Sequence, residues 1–122
     1  MTKTARLTEA DLRQFTGSEN WYRHGLSRTI LFTDGAKYVA DEAGAYWLLD
    51  EIVLAQRYVE RVAGEPFQFW KLAVRPDQTA TLTCDDGNGT VVYTKEFDYT
   101  DFPLAEITFY FTNNVIYLPS EH

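Results

Sequence analysis

Residues 67–118 read FQFWKLAVRPDQTATLTCDDGNGTVVYTKEFDYTDFPLAEITFYFTNNVIYL, a succession of short aromatic and β-branched runs punctuated by turn residues. Aromatic and β-branched side chains suit a pleated, half-buried surface, and clusters of Pro, Asp, Asn and Gly interrupt it. The spacing predicts strands over Phe67–Arg75, Thr79–Cys84, Val91–Phe97, Ile107–Phe111 and Val115–Leu118, with one helical turn around Leu104-Ala105-Glu106 after Pro103. In the second of these, Ala80, Leu82 and Cys84 share one face while Thr79, Thr81 and Thr83 share the other, the pattern of an antiparallel strand buried on one side. Turns are expected at Pro76-Asp77, Asp85-Asp86-Gly87-Asn88-Gly89 and Asn113-Asn114. As the terminal strand, Val115–Leu118 is expected to offer an open sheet edge to an added strand.

The pattern changes upstream. Ala43 to about Val62 reads as one long helix, ended by Gly64 and Pro66. Ala45, Leu48, Ile52, Ala55 and Val59 form an apolar stripe wide enough to lie on a sheet, and Trp47, Glu51, Leu54 and Tyr58 form a second stripe on another face. The sector around Asp50, Arg57, Glu60 and Arg61 reads as solvated. Before the helix, Thr29–Thr33 and Ala36–Ala40 flank Asp34-Gly35, a pair favoured where both turn residues take positive φ, so a hairpin is expected there. Ser18–Leu26 reads as a loop rich in large side chains. Thr8 and Asp11 have the spacing of a capping pair for a short N-terminal helix, which Gly17 would end after about two turns.

These elements make one α+β domain over residues 1–122. Its expected architecture is a mostly antiparallel, twisted sheet of about six or seven strands, with the long helix packed on one face. The strand order does not follow from the pattern.

Composition narrows the function. Apolar residues make up 45% and aromatics 16%, enough for an ordered core; three Trp, eight Tyr and eight Phe exceed what a small core needs, so some are expected on a half-exposed surface. Net charge is −7 and the eleven Lys and Arg are scattered, which disfavours direct nucleic-acid binding and docking on an anionic membrane. The acidity is accounted for by solubility, or more sharply by an acidic surface that mimics nucleic acid before a basic partner. Cys84 is the only cysteine, so neither an internal disulfide nor a cysteine-based zinc site can form. With no apolar leader and no run near a membrane span, a soluble cytoplasmic protein is expected.

No motif supplies a reaction. In Trp21-Tyr22-Arg23-His24, His24 is the one histidine away from the last residue, but no Ser, Cys or Asp stands in a recognised triad or dyad with it. Asp85–Gly89 lacks the twelve-residue ligand pattern and terminal bidentate Glu of a helix–loop–helix calcium site, and reads as a hairpin connection. Carboxylates at Asp50, Glu51, Glu96, Asp98 and Asp101 would serve glycoside hydrolysis only if a pair faced each other across a cleft. No glycine cluster forms a phosphate-cradling loop. Catalytic residues, metal and cofactor are therefore all expected to be none.

Three segments carry a resemblance. Leu12–Tyr22 (LRQFTGSENWY), Ala43–Ile52 (AGAYWLLDEI) and Leu118–Glu121 (LPSE) resemble a small bacterial domain family of unknown function, often encoded on plasmids, phages and integrated elements. The resemblance implies an accessory role in a mobile element, including inhibition of a host-defence or nucleic-acid-processing protein. It brings no activity and no catalytic residues.

The leading expectation is a non-enzymatic interaction protein that binds a protein partner or forms a homodimer. Trp21, Tyr22, Arg23 and His24 in the aromatic loop and Trp47, Leu54 and Tyr58 on the second helical stripe are its binding candidates, since Trp and Tyr anchor interfaces at little entropic cost. The alternative is a small enzyme or ligand-binding domain in which Tyr22, Arg23 and His24 line a pocket. That reading requires a concave site at His24 with a carboxylate within hydrogen-bond reach.

Overall fold

The computed structural model describes residues 7–15 and 20–122. Its frame is the C-terminal half: β3 (Phe67–Val74), β4 (Ala80–Asp85), β5 (Val91–Phe97), β6 (Glu106–Thr112) and β7 (Val115–Tyr117). They join β1 (Trp21–Arg23) and β2 (Leu31–Thr33) in one seven-stranded sheet of order β1-β2-β7-β6-β3-β4-β5. Every pairing is antiparallel except β2 with β7, which is parallel. Alternation sets the two faces. Gln68, Trp70 and Leu72 of β3, Leu82 and Cys84 of β4, Phe109 and Phe111 of β6 and Ile116 of β7 are buried, and the residues between them are not.

The expected strands of this half are present to within about a residue or two. Asn113 and Asn114 take φ of 53° and 62°, the doubly left-handed turn that matches strand twist in a two-residue hairpin. Two expectations fail. The helical turn around Leu104-Ala105-Glu106 is a bend that leads into β6 at Glu106. The terminal strand β7 is not an edge: it lies between β2 and β6, and the edges are β1 and β5.

The Asp34-Gly35 hairpin is replaced by a helix, α2 (Asp34–Ala43). Thr33 is extended, and its Oγ1 accepts the Ala36 N–H at 3.3 Å, capping the helix. Ala36, Val39, Ala40 and Ala43 then fall on one buried face, and Gly44 ends the helix at φ 62°, a conformation that suits glycine. The single long helix expected over 43–62 is two helices, α3 (Tyr46–Tyr58) and α4 (Glu60–Ala63), separated by Val59 in extended conformation. The loop expected over 18–26 includes strand β1. The N-terminal helix α1 (Glu9–Leu12) has its capping pair, with Thr8 and Asp11 bonded reciprocally at 3.0 and 3.2 Å, but it is a single turn. Gly17, its expected stop, lies outside the described residues.

Helix α3 presents the expected stripe to the sheet: Ala45, Leu48, Ile52 and Ala55 are buried and Val59 is partly so. A polar clasp completes the layer. Gln68 is buried beneath α3 and α4; its Nε2 donates to Val62 O at 2.8 Å, and its Oε1 accepts from Trp70 Nε1 at 2.9 Å and Gln56 Nε2 at 2.7 Å. A buried amide costs nothing net only when its groups are bonded, and these are. No helix among the described residues is long and apolar enough to cross a membrane.

Candidate functional site

The face of the sheet opposite the buried one carries an aromatic cluster. Phe67 and Phe69 of β3, Tyr110 of β6 and Tyr117 of β7 alternate with buried neighbours, so all four project to this side, and none of them is buried. Register aligns Phe69 with Tyr110 and Tyr110 with Tyr117. Ring centroids lie 5.6 Å apart in both pairs, and Phe67 stands 5.1 Å from Tyr110. His122 stacks on Tyr117 at 5.8 Å and meets Tyr110 edge-on at 5.3 Å. Such offset and edge contacts fix the rings relative to one another while leaving outer faces free.

Toward β1 the cluster opens into a shallow pocket of about 310 Å³, with Trp21, Val115, Tyr117 and His122 around it. Trp21 is 59% exposed at its rim. The floor is fixed by Glu121: its carboxylate accepts from Thr33 Oγ1 at 2.7 Å, Gly35 N at 3.0 Å and Leu118 N at 2.8 Å. Glu121 thus tethers the C-terminal segment to the start of α2. Burial raises the Tyr117 phenol above its ordinary value, and its hydroxyl lies 3.0 Å from His122 Nδ1.

The segment expected to act as one aromatic loop is divided by the strand. Trp21 projects to the open face and Tyr22 to the helical side, where its hydroxyl donates to Asp34 Oδ1 at 2.9 Å. That bond, with burial second, raises the Tyr22 phenol. Lys37 stands 5.5 Å over the Tyr22 ring and donates to Asp41 at 2.7 Å, and Tyr46 donates to Asp41 at 2.6 Å. Those two hydrogen bonds hold the Asp41 carboxyl below its ordinary value. Arg23 is exposed.

His24 is 5% exposed and is used at both nitrogens. Nδ1 accepts the Leu26 N–H at 3.0 Å, and Nε2 lies 2.9 Å from Asp50 Oδ1 on α3. Accepting at Nδ1 places the ring proton on Nε2, which donates to Asp50. The required carboxylate is therefore present and a hollow of about 520 Å³ adjoins it, but the ring has no free lone pair for a general base. His24 and Asp50 clamp the β1–β2 connection to α3. Asp50, expected in a solvated sector, is one half of this contact.

The second helical stripe is also divided. Trp47 is half-buried with its ring 5.2 Å from Phe97, Glu51 accepts from Lys95 at 2.8 Å, and Leu54 and Tyr58 are 39% and 71% exposed. Trp47 packs against Phe97 of β5. Asp85–Gly89 is the expected hairpin connection: Asp85 Oδ1 accepts from Gly87 N, and Asp86 Oδ1 from Asn88 N and Thr90 N. Among the described residues no group of three or more His, Cys, Asp or Glu is placed to hold a metal ion.

Of the candidate binding residues, only Trp21 joins the aromatic cluster. Phe67, Phe69, Tyr110 and Tyr117 were not singled out from sequence. Their period-2 spacing was legible, but which parity faces the helices depends on register.

The model of a family of unknown function, DUF6876, matches residues 6–122. The chain belongs to the DUF6876 family. No curated protein and no solved structure matches the chain. The family match spans both the aromatic face and the His24–Asp50 clamp, so both lie within the DUF6876 domain.

Proposed function

We propose that this DUF6876 protein is a non-enzymatic interaction domain that binds a protein partner through the open aromatic face of its sheet. The observation that carries this reading is the contiguous cluster of Tyr117, Tyr110, Phe69 and Phe67 on the face away from α3, with Trp21 at the pocket that adjoins it. Rigid aromatics bury large area at low entropic cost, and the charges beside them are largely internal pairs, Lys71 with Glu106 and Arg75 with Glu96. The exposed Leu54 and Tyr58 on α3 are a second, smaller surface.

The same reading places the chain in the cytoplasm as an accessory protein of a bacterial mobile element, acting on a host-defence or nucleic-acid-processing protein. The three resembling segments and the lone buried thiol of Cys84 support that setting. Nucleic-acid mimicry fits the structure poorly. Asp11, Asp34, Asp41, Asp50, Glu51, Asp77 and Glu96 are spread over α1, α2, α3, the β3–β4 turn and β5, and each is bonded within the chain, so these seven do not read as a phosphate-like row. Catalysis by His24 is disfavoured because both its nitrogens are occupied.

The test is an affinity capture from source cells with wild type, Trp21→Ala/Tyr110→Ala and Leu54→Ser/Tyr58→Ala, followed by titration of the captured protein and sedimentation velocity of the free chain. Loss of roughly 2 kcal/mol, about thirtyfold in affinity, in the first variant alone is expected of a central aromatic anchor. Loss only in the second variant moves the interface to α3. Self-association broken by the first variant makes the partner a second copy. A monomer that captures nothing specific overturns the reading.

A further inference from the structure

Among the described residues, four basic side chains are paired with carboxylates: Lys37, Lys71, Arg75 and Lys95. Arg13, Arg23, Arg28, Arg57 and Arg61 have no carboxylate partner among the described residues, although the chain carries eighteen acids. Three of those five, Arg23, Arg28 and Arg57, border a single hollow of about 630 Å³ between the β1–β2 connection and α3. Arg57 lies in the last turn of α3, where the helix dipole favours a cation. That explains one arginine and leaves Arg23 and Arg28 unaccounted for.

The connection that carries Arg28 is pre-shaped. His24 pins its start, and Ser27 Oγ accepts the N–H groups of Thr29 at 3.2 Å and Ile30 at 3.3 Å. With its lone pairs so used, the Ser27 hydroxyl is left as a donor, and its contact with Thr29 Oγ1, at 3.5 Å, is long. Three arginines and the hydroxyl residues Ser27 and Thr29 thus line one concavity, in a chain whose net charge is −7. The facing acid is Asp50, in the adjoining hollow, and it is engaged by His24 Nε2. Guanidinium forks match phosphate oxygens, and a multivalent anion complements several arginines that line one hollow. An extended nucleic acid would need a longer basic track than this hollow gives.

We propose that Arg23, Arg28 and Arg57 form a binding site for a compact oligophosphate, a di- or triphosphate group on a small molecule. The site is separate from the aromatic face, and either can fail without the other.

The test uses pyrophosphate and tripolyphosphate in calorimetric titration and thermal unfolding, against sodium chloride at matched ionic strength and vesicles of phosphatidylcholine with phosphatidylserine. Wild type is expected to bind both oligophosphates and to gain Tm dose-dependently. Arg28→Gln/Arg57→Gln is expected to bind at least about tenfold more weakly, with ligand-free Tm unchanged, and Arg61→Gln to bind like wild type. Arg28→Gln alone keeps the test valid if loss of Arg57 weakens α3. Equal stabilisation by sodium chloride, equal binding by the Arg28 variants, or binding to vesicles without binding to soluble oligophosphate each overturns the proposal.

Discussion

His24, a binding candidate in the sequence, makes two structural contacts once its neighbours are placed. Its ring bridges the Leu26 backbone and Asp50, so His24→Ala leaves a cavity and strips two hydrogen bonds. A loss of about 2–4 kcal/mol in urea-unfolding free energy is expected. Asp50→Asn keeps an acceptor for Nε2–H and is expected to cost less than about 1.5 kcal/mol. A His24→Ala variant of unchanged stability would sink the clamp. Cys84 is the converse case, a reactive group silenced by position. Burial, with Asp85 nearby, raises its thiol from 9.0 to about 12. The folded state holds a proton that the unfolded chain releases between those values, so stability is full below pH 9.0 and falls as pH rises toward about 12. Alkylation at neutral pH is expected to follow global unfolding and to accelerate with denaturant. Rapid labelling of the native protein would refute it.

At the scale of elements, α2 is the instructive correction. Asp34-Gly35 carries the local signal of a hairpin, yet Thr33 supplies a cap, and the Ala36, Val39, Ala40 and Ala43 spacing supplies a buried helical face. The dipeptide signal was the stronger one locally; burial of that face against the sheet decided the outcome, as tertiary contacts commonly override short-range preference. Gly35 then serves packing and not a turn. A Cβ there would stand 2.6 Å from Glu121 Oε1 and 2.7 Å from Leu118 Cδ1. Helix propensity alone predicts that Gly35→Ala gains up to about 1 kcal/mol, whereas the close approach predicts a loss of about 1–3 kcal/mol. We expect the loss, measured by thermal or urea unfolding; a gain would show that the C-terminal segment is not held against α2. The hairpin that does use two left-handed residues is Asn113-Asn114, legible because strands flank it on both sides.

At the scale of the whole molecule, one face of the sheet packs the core and the other is the face proposed for recognition. Trp70, Leu72, Leu82, Phe109 and Ile116 are buried under the helices, while Phe69, Tyr110 and Tyr117 stand on the other side. For that reason Trp21→Ala/Tyr110→Ala is expected to retain the fold and lose the partner, a separation checked by circular dichroism beside the binding titration. The sequence by itself determined the α+β class, the strands of the C-terminal half, the capping pair at Thr8 and Asp11, and the core stripe of α3. These rest on periodicity and capping, which act over a few residues. Tertiary structure alone decided the parallel pairing of β2 with β7, the interior place of β7, the division of Trp21 from Tyr22, and which aromatics lie open. Each of these depends on register between segments far apart in the chain. A shift of one residue exchanges the faces of a strand, and no local pattern records which partner sets it.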